Sequence, residues 1–199
     1  FNNVVINGSR GDMSLYKIDT SGNVLWKKRD TLLASTESPR DLSILKDSTY
    51  LLTGYSFSFG NWLQSYAMRA DSAGNKIWQV AYGTSLNNND CAAYGAATSD
   101  GGFILGSCMG KTEGIGLNPR RMYVRKYASN NAFEWDREYG NSSELSGIQA
   151  LEELPDGTGY IILGNHVDSS RGNGAPESTI ALLKIDLNGD SIWMRSYRV

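Results

Sequence analysis

Lys17-Ile-Asp-Thr-Ser-Gly22-Asn-Val-Leu-Trp26, Arg69-Ala-Asp-Ser-Ala-Gly74-Asn-Lys-Ile-Trp78 and Lys184-Ile-Asp-Leu-Asn-Gly189-Asp-Ser-Ile-Trp193 are copies of one pattern. Each reads as strand, tight turn, strand: the Asp offers a side-chain acceptor to the turn backbone, and the Gly takes the positive φ that a Cβ disfavours. A further copy, Lys126-Tyr-Ala-Ser-Asn-Asn131-Ala-Phe-Glu-Trp135, replaces the Asp by Ala128 and the Gly by Asn131. Asn is the next most tolerant residue for the left-handed region, so the backbone demand persists while the side chain changes. In all four copies the tryptophan follows the basic residue by nine positions without a gap.

Working outward, Tyr82, Tyr139 and Tyr197 follow their tryptophans at the fourth position and close the hairpin. Upstream lies a second hairpin. The turn-like Lys46-Asp47-Ser48, Ser99-Asp100-Gly101-Gly102 and Pro155-Asp156-Gly157-Thr158-Gly159 lead into the apolar runs Tyr50 to Gly54, Phe103 to Gly106 and Tyr160 to Gly164. Such short continuous runs fit strands buried on both faces. The small or apolar stretches Asp41 to Leu45, Cys91 to Thr98 and Gly147 to Leu154 supply one more strand before each turn.

The chain is therefore expected to be all-β, a β-propeller of about four four-stranded blades, the first lacking strand A, in repeats at 1–30, 31–83, 84–140 and 141–199. Without that strand the ring does not close, so a larger propeller is expected.

Composition agrees with a globular, turn-rich chain: 199 residues, 40% hydrophobic, 20% charged, with Gly 22 and Pro 4. The net charge of -2 and the lack of a basic cluster larger than Lys27-Lys28-Arg29 exclude a nucleic-acid binder. No apolar run reaches the roughly 18 residues of a membrane-spanning helix.

The Asp-Gly-Gly-Phe-Ile-Leu run at 100–105, the Lys-x-Asp-x-x-Gly-x-x-x-Trp hairpin and the trailing Tyr-Gly resemble the secreted β-propeller repeat proteins of Bacteroidota, which often carry a type IX secretion sorting domain. The resemblance covers nearly the whole chain. It implies a propeller fold and an extracellular or cell-surface location, and no single activity. Departures are Ala128 at the turn Asp, Asp30 where a trailing Tyr would stand, and a strand from Phe103 to Gly106 that is one residue shorter than its counterparts. The hairpin is also similar to the tryptophan-docking repeat of quinoprotein-type propellers. Those enzymes need neighbouring cysteines and a calcium site, neither of which is assigned here, so no cofactor or metal is expected. The sialidase Asp-box separates its Asp and Gly by one residue where this chain has two, and its chemistry is not carried over.

Candidate chemistry is sparse. His166, the only histidine, is placed at a strand exit into a polar loop, with no nucleophile or orienting acid beside it; it reads as a surface residue rather than a catalytic one. Trp62 falls outside the repeat, in the loop from Ser56 to Gln64, and serves either as a stacking platform for a sugar or peptide or as a plug at the rim of its blade. Cys91 and Cys108 are either free thiols or one disulfide. A two-residue turn at Asp100-Gly101 would place Cys108 opposite Ala93, so a bond to Cys91 would need a bulge.

The connections around Tyr55 to Gln64, Ser107 to Arg121 and Asn165 to Ser178 are long and dissimilar, and share a propeller face with the variable ones from each blade to the next. Trp62, Arg120, Arg121 and His166 are the candidate ligand-binding residues on that loop face, and no catalytic residue is expected. The leading expectation is a non-catalytic extracellular or cell-surface segment that binds a protein or glycan within a larger secreted protein. The partners would be that ligand and the remaining blades, whether from a larger chain or another copy. The alternatives are a passive spacer or cargo domain and a fragment of a quinoprotein-like or glycan-active enzyme.

Overall fold

The computed structural model describes residues 3–9, 12–30, 37–59, 63–82, 93–110, 120–140, 144–168 and 177–198, and all the regular structure among them is strand. The first blade holds β1 (Asn3–Ser9), β2 (Asp12–Ile18) and β3 (Val24–Asp30); the second holds β4 (Glu37–Ile44), β5 (Tyr50–Ser56), β6 (Gln64–Ala70) and β7 (Lys76–Tyr82). The third holds β8 (Tyr94–Ala97), β9 (Phe103–Gly110), β10 (Arg120–Tyr127) and β11 (Phe133–Tyr139). β12 (Glu144–Glu153), β13 (Tyr160–Asp168), β14 (Glu177–Ile185) and β15 (Ser191–Tyr197) make the fourth. Within each blade successive strands pair antiparallel, and one parallel pair, Arg120 with Leu145, joins the third to the fourth. Among the described residues this is an all-β, propeller-like array in which no sheet closes on itself.

One turn geometry builds the outer hairpins and the inner hairpins of the second and third blades, and the inner turn of the fourth, from Leu154 to Gly159, is one residue longer. In the outer hairpin the N–H of Asp19, Asp71, Ala128 and Asp186 reaches the carbonyl four residues on, while the N–H of Gly22, Gly74, Asn131 and Gly189 returns to the first residue. The fourth residue sits at positive φ, 85°, 82°, 68° and 83° in the four blades, so Asn131 does occupy the glycine conformation. With Ala128 unable to accept, Asn130 Oδ1 takes the Ala132 N–H at 2.9 Å in its place. The register then explains the nine-residue spacing, because Lys17, Arg69, Lys126 and Lys184 each lie directly opposite their tryptophan, with a bulge at the next pair.

The inner hairpin of the third blade corrects the expected pairing. Thr98 and Gly102 close a three-residue loop with Gly101 at φ 86°, so Ala97 pairs with Phe103 and Tyr94 with Gly106. The turn thus holds one residue more than expected, and the opposition of Cys108 to Ala93 does not hold. The strand expected to stop at Gly106 continues as β9 to Gly110, and so is not the short one. Ser107, Cys108 and Met109 pair with Tyr123, Met122 and Arg121, which gives this polar-to-apolar stretch a full ladder.

The core lies between blades. Leu52 and Met68 join Met13, Leu15 and Tyr50 against the first blade, whereas Leu51 and Ala67 join Phe103, Leu105 and Tyr127 against the third. Alternation along β5 and β6 thus feeds two different junctions, which is why the inner strands are apolar without a break. A third cluster around Ile104, Val124, Ile148, Ile162 and Leu183 fills the next junction.

Candidate functional site

The residues expected on one loop face are placed differently. Arg120 and Arg121 open β10 and His166 lies inside β13, paired with Ser146 and Thr179, so all three belong to strands and not to loops. Polar strand ends carry no apolar pattern, and the run was read as connection for that reason. Arg121 is ion-paired with Glu138 across the hairpin at 3.3 Å. Trp62 lies outside the described residues. Cys108 is buried and disulfide-bonded; the chain's other cysteine, Cys91, also lies outside them. Arg120 pairs with Leu145 and His166 with Ser146, so these two candidates lie on strands that flank one end of β12.

The described residues bring together a set of junctions between blades, each built on a tryptophan. Trp26 packs on Tyr50, Trp78 on Phe103 and Trp135 on Tyr160, with ring centroids 6.2, 5.4 and 6.2 Å apart, each pair spanning adjacent blades. The left-handed glycine of the next blade seats on the same tryptophan: a Cβ on Gly74 would lie 2.7 Å from Trp26 Cζ3, and one on Gly189 2.8 Å from Trp135 Cζ3. Tyr139 donates from its hydroxyl to the Gly189 carbonyl at 2.6 Å. Burial of that phenol pushes its pKa up, so it remains a donor at neutral pH.

Two of the basic residues opposite the tryptophans, which sequence reasoning used only as period markers, are buried in hydrogen-bonded sites, and Arg69 spans a junction. Arg69 is 5% exposed and donates to Thr49 Oγ1 at 2.9 Å, to Ser129 O at 2.6 Å and to Asn131 Oδ1 at 2.6 Å, and it is ion-paired with Asp47. It thereby ties the inner turn of its own blade to the outer turn of the next. Lys126 is 2% exposed and meets Asp100 at 2.7 Å and Glu134 at 3.1 Å. Burial alone would raise the Asp100 carboxyl, but hydrogen bonds from Lys126, Thr98 and the Gly102 N–H outweigh it and hold the group down at about 2. Lys126 lies in β10 and Asp100 in the turn before β9, 26 residues apart, so no local spacing signals this pair in the sequence.

Two other groups were not foreseen. Arg125 lies over the rings of Tyr82, Tyr123 and Phe133 at 5.0, 5.3 and 5.6 Å and pairs with Asp136 at 3.5 Å. Burial and the neighbouring Asp136 push the Tyr123 phenol up to about 12. Glu37, 2% exposed at the start of β4, accepts from Ser56 Oγ at 3.2 Å and from Ser58 Oγ, which ties the exit of β5 back to β4.

A recess of about 440 Å³ opens across three blades beside Ser43, Ala96, Glu152, Glu153 and Pro155. Its carboxylate Glu153 is taken up by the Ser99 backbone N–H and hydroxyl, the latter at 2.5 Å. Among the described residues no group of three or more His, Cys, Asp and Glu side chains is arranged to hold a metal ion. Nor is there among them a helix long and apolar enough to cross a membrane.

No family model and no curated protein matches this chain. Among solved structures it aligns with a mutant of Synechocystis apocarotenoid oxygenase (TM-score 0.48) and with an ACO/RPE65 chimera (TM-score 0.48), both at 16% identity. Each alignment covers 98% of this chain and 46% of the other, so the chain spans less than half the length of these structures. Their names are those of oxygenases, and this overturns two expectations. The reading as a non-catalytic binding segment and the expectation that the chain is not an enzyme are both withdrawn. The physical reason is that a repeat reports the scaffold, whereas reacting groups on a scaffold of this kind come from separate strands and loops and leave no local motif. At this level of similarity the likeness assigns no reaction, substrate or cofactor to the chain.

Proposed function

We propose that this chain is a structural arc of a propeller ring larger than four blades, whose task is to hold successive blades in fixed register so that their connections converge on one face. The observation that supports it is the repeated junction, in which a tryptophan packs on an aromatic ring of the next blade and that blade's left-handed turn is held, by the tryptophan at the first and third junctions and by Arg69 at the second. Each of the three junctions buries an apolar cluster, and hydrogen bonds cross between blades at Arg69 and Tyr139. In this reading any chemistry of the ring is assembled from several blades, and this arc contributes position.

Hydrogen exchange of the whole chain tests it. Nearest-neighbour coupling of this strength makes the blades protect one another, so the inner strands β5, β9 and β13 should open together in one cooperative unit. Arg69→Ala should split that unit at the junction of the second and third blades. Independent opening of the blades in the unmodified chain would overturn the reading.

A further inference from the structure

Tyr139 closes the third junction from the end of β11. Its ring lies in one cluster with Met122, Val124 and Leu183, it is 8% exposed, and its hydroxyl donates to the Gly189 carbonyl at 2.6 Å. The turn that carries this carbonyl is braced by Arg137, whose stem lies against Gly189 and whose guanidinium approaches Asp190 at 3.9 Å. Tyr82, at the same place in the pattern, is buried in the second junction.

The first junction repeats the walls of the third without the tyrosine. By register Met13 lies opposite position 30 as Met122 lies opposite Tyr139, and Leu15 lies opposite Lys28 as Val124 lies opposite Arg137. Met68 precedes Gly74 by six residues, as Leu183 precedes Gly189. Lys28 lays its stem against Gly74 and donates from Nζ to Asn75 Oδ1 at 3.1 Å, so it braces this turn as Arg137 braces the other. The residue at the fourth position after Trp26, however, is Asp30.

Between these walls the first junction has a cavity of about 230 Å³, lined among others by Met13, Leu15, Met68, Lys28, Gly74 and Asn75. Met13, Leu15 and Met68 give it an apolar floor that offers water no partner, and a methionine adapts its shape to an aromatic ring. An engineered apolar cavity of about 150 Å³ takes up benzene, so a substituted ring fits this one. Among the described residues no donor reaches the Gly74 carbonyl, the counterpart of the carbonyl that accepts from Tyr139. An apolar floor with one open acceptor at its edge is the complement of a hydroxylated ring.

We propose that the cavity of the first junction is a binding site for a phenol, seated as Tyr139 is seated in the third, with its ring among Met13, Leu15 and Met68 and its hydroxyl donating to the Gly74 carbonyl. The phenol is that of a free small molecule or of a tyrosine in a polypeptide; both present the same ring and the same donor. A ring that is not tethered to the chain loses translational freedom that Tyr139 does not, so the bare ring binds weakly and reversibly. The site lies within one junction and stands apart from the reading of the chain as an arc.

The test titrates the full chain, isotopically labelled at its methionine methyl groups, with p-cresol, which reproduces the tyrosine side chain. The Met13 and Met68 signals should shift together and saturate, while those of Met109 and Met194 stay in place. Toluene, which lacks the hydroxyl, should bind about tenfold more weakly. Asp30→Tyr supplies the ring from within, and should raise the melting temperature and abolish the shifts. Tyr139→Ala opens the equivalent space in the third junction, where p-cresol should then also shift Met122 and restore part of the lost melting temperature. A Gly-Tyr-Gly peptide separates the two sources: shifts of Met13 and Met68 by the peptide support a polypeptide tyrosine, and shifts by p-cresol alone support a free phenol. No saturable shift up to the solubility limit of p-cresol, shifts spread over all 5 methionines, or equal binding of toluene would each overturn the proposal. So would shifts that survive Asp30→Tyr, and the measurements on the unmodified chain decide the matter even where a variant does not fold.

Discussion

Gly74 rests on the ring of Trp26, close enough that a Cβ would stand 2.7 Å from Cζ3 and 2.7 Å from Cγ of Lys28. Gly22 has the same turn, nearly the same φ and no atom within 4 Å. The two glycines thus separate backbone strain from docking. Gly22→Ala should cost only the left-handed penalty, about 1 kcal/mol. Gly74→Ala should cost that plus the displacement of the indole, about 3 kcal/mol in all. Chemical denaturation of both variants measures the difference, and equal losses would show that the turn does not bear on the tryptophan.

Arg69 and Asn131 make a second test of coupling between blades. Asn131 holds a positive φ of 68° and its amide oxygen accepts from Arg69 at 2.6 Å. Arg69→Ala should destabilise by about 3 kcal/mol, since it removes charge-assisted hydrogen bonds from a buried site. Asn131→Gly relieves about 1 kcal/mol of strain but forfeits the acceptor. In the unmodified background it should therefore be neutral or destabilising, and in the Arg69→Ala background stabilising. The sign change is the diagnostic outcome of the double-mutant cycle.

These two cases show what was legible in the sequence. A turn at positive φ admits few residue types, so Gly22, Gly74, Asn131 and Gly189 could be read one copy at a time. The partners of Arg69 on the next blade are 60 and 62 residues away, and no local pattern encodes them. The same limit hid the strand placement of Arg121 and His166, because β10 and β13 continue into polar residues whose pairing is decided by the neighbouring strand. The one-residue error in the turn at Asp100-Gly101 arose because a glycine there suits both a two-residue and a three-residue loop.

Cys108 is fully buried and disulfide-bonded, and no described cysteine is free. Thiol titration of the denatured, unreduced chain should find no reactive thiol, and titration after reduction should find both cysteines. Thiol found before reduction would contradict the bond.

Acid should loosen the third blade in a narrow window. The Asp100 carboxyl is held at about 2 against an ordinary value of 3.8, so the folded state binds its proton less readily than the unfolded state does. Its contribution is fully present above pH 3.8 and is lost as pH falls through about 2. Asp47 is also lowered, against its burial, by Thr49 and Arg69, and acts in the same direction. Melting temperature should therefore fall between about pH 4 and 2, and Asp100→Asn should flatten that fall while lowering stability at neutral pH. Because the Asp100 side chain is 54% exposed, molar salt should reduce the difference between the two proteins. A steeper fall in the Asn variant would mean that the lysine draws no support from this carboxylate.

Trp78 provides the last prediction, since its ring meets both Phe103 at 5.4 Å and Tyr127 at 5.2 Å, edge to face, while Phe103 and Tyr127 stack at 5.2 Å. This three-ring cluster joins the second blade to the third, and Phe103 is fully buried within it. Trp78→Ala should cost about 3 kcal/mol or more. A cycle with Phe103→Leu should recover about 1 kcal/mol of coupling beyond the lost area. Trp193, whose outer side meets no further blade among the described residues, should cost clearly less on the same replacement when measured at concentrations where the chain is monomeric. If Trp193→Ala were as damaging as Trp78→Ala under those conditions, the tryptophans would stabilise their own hairpins and not the junctions, and the account of the repeat as a coupling device would fail.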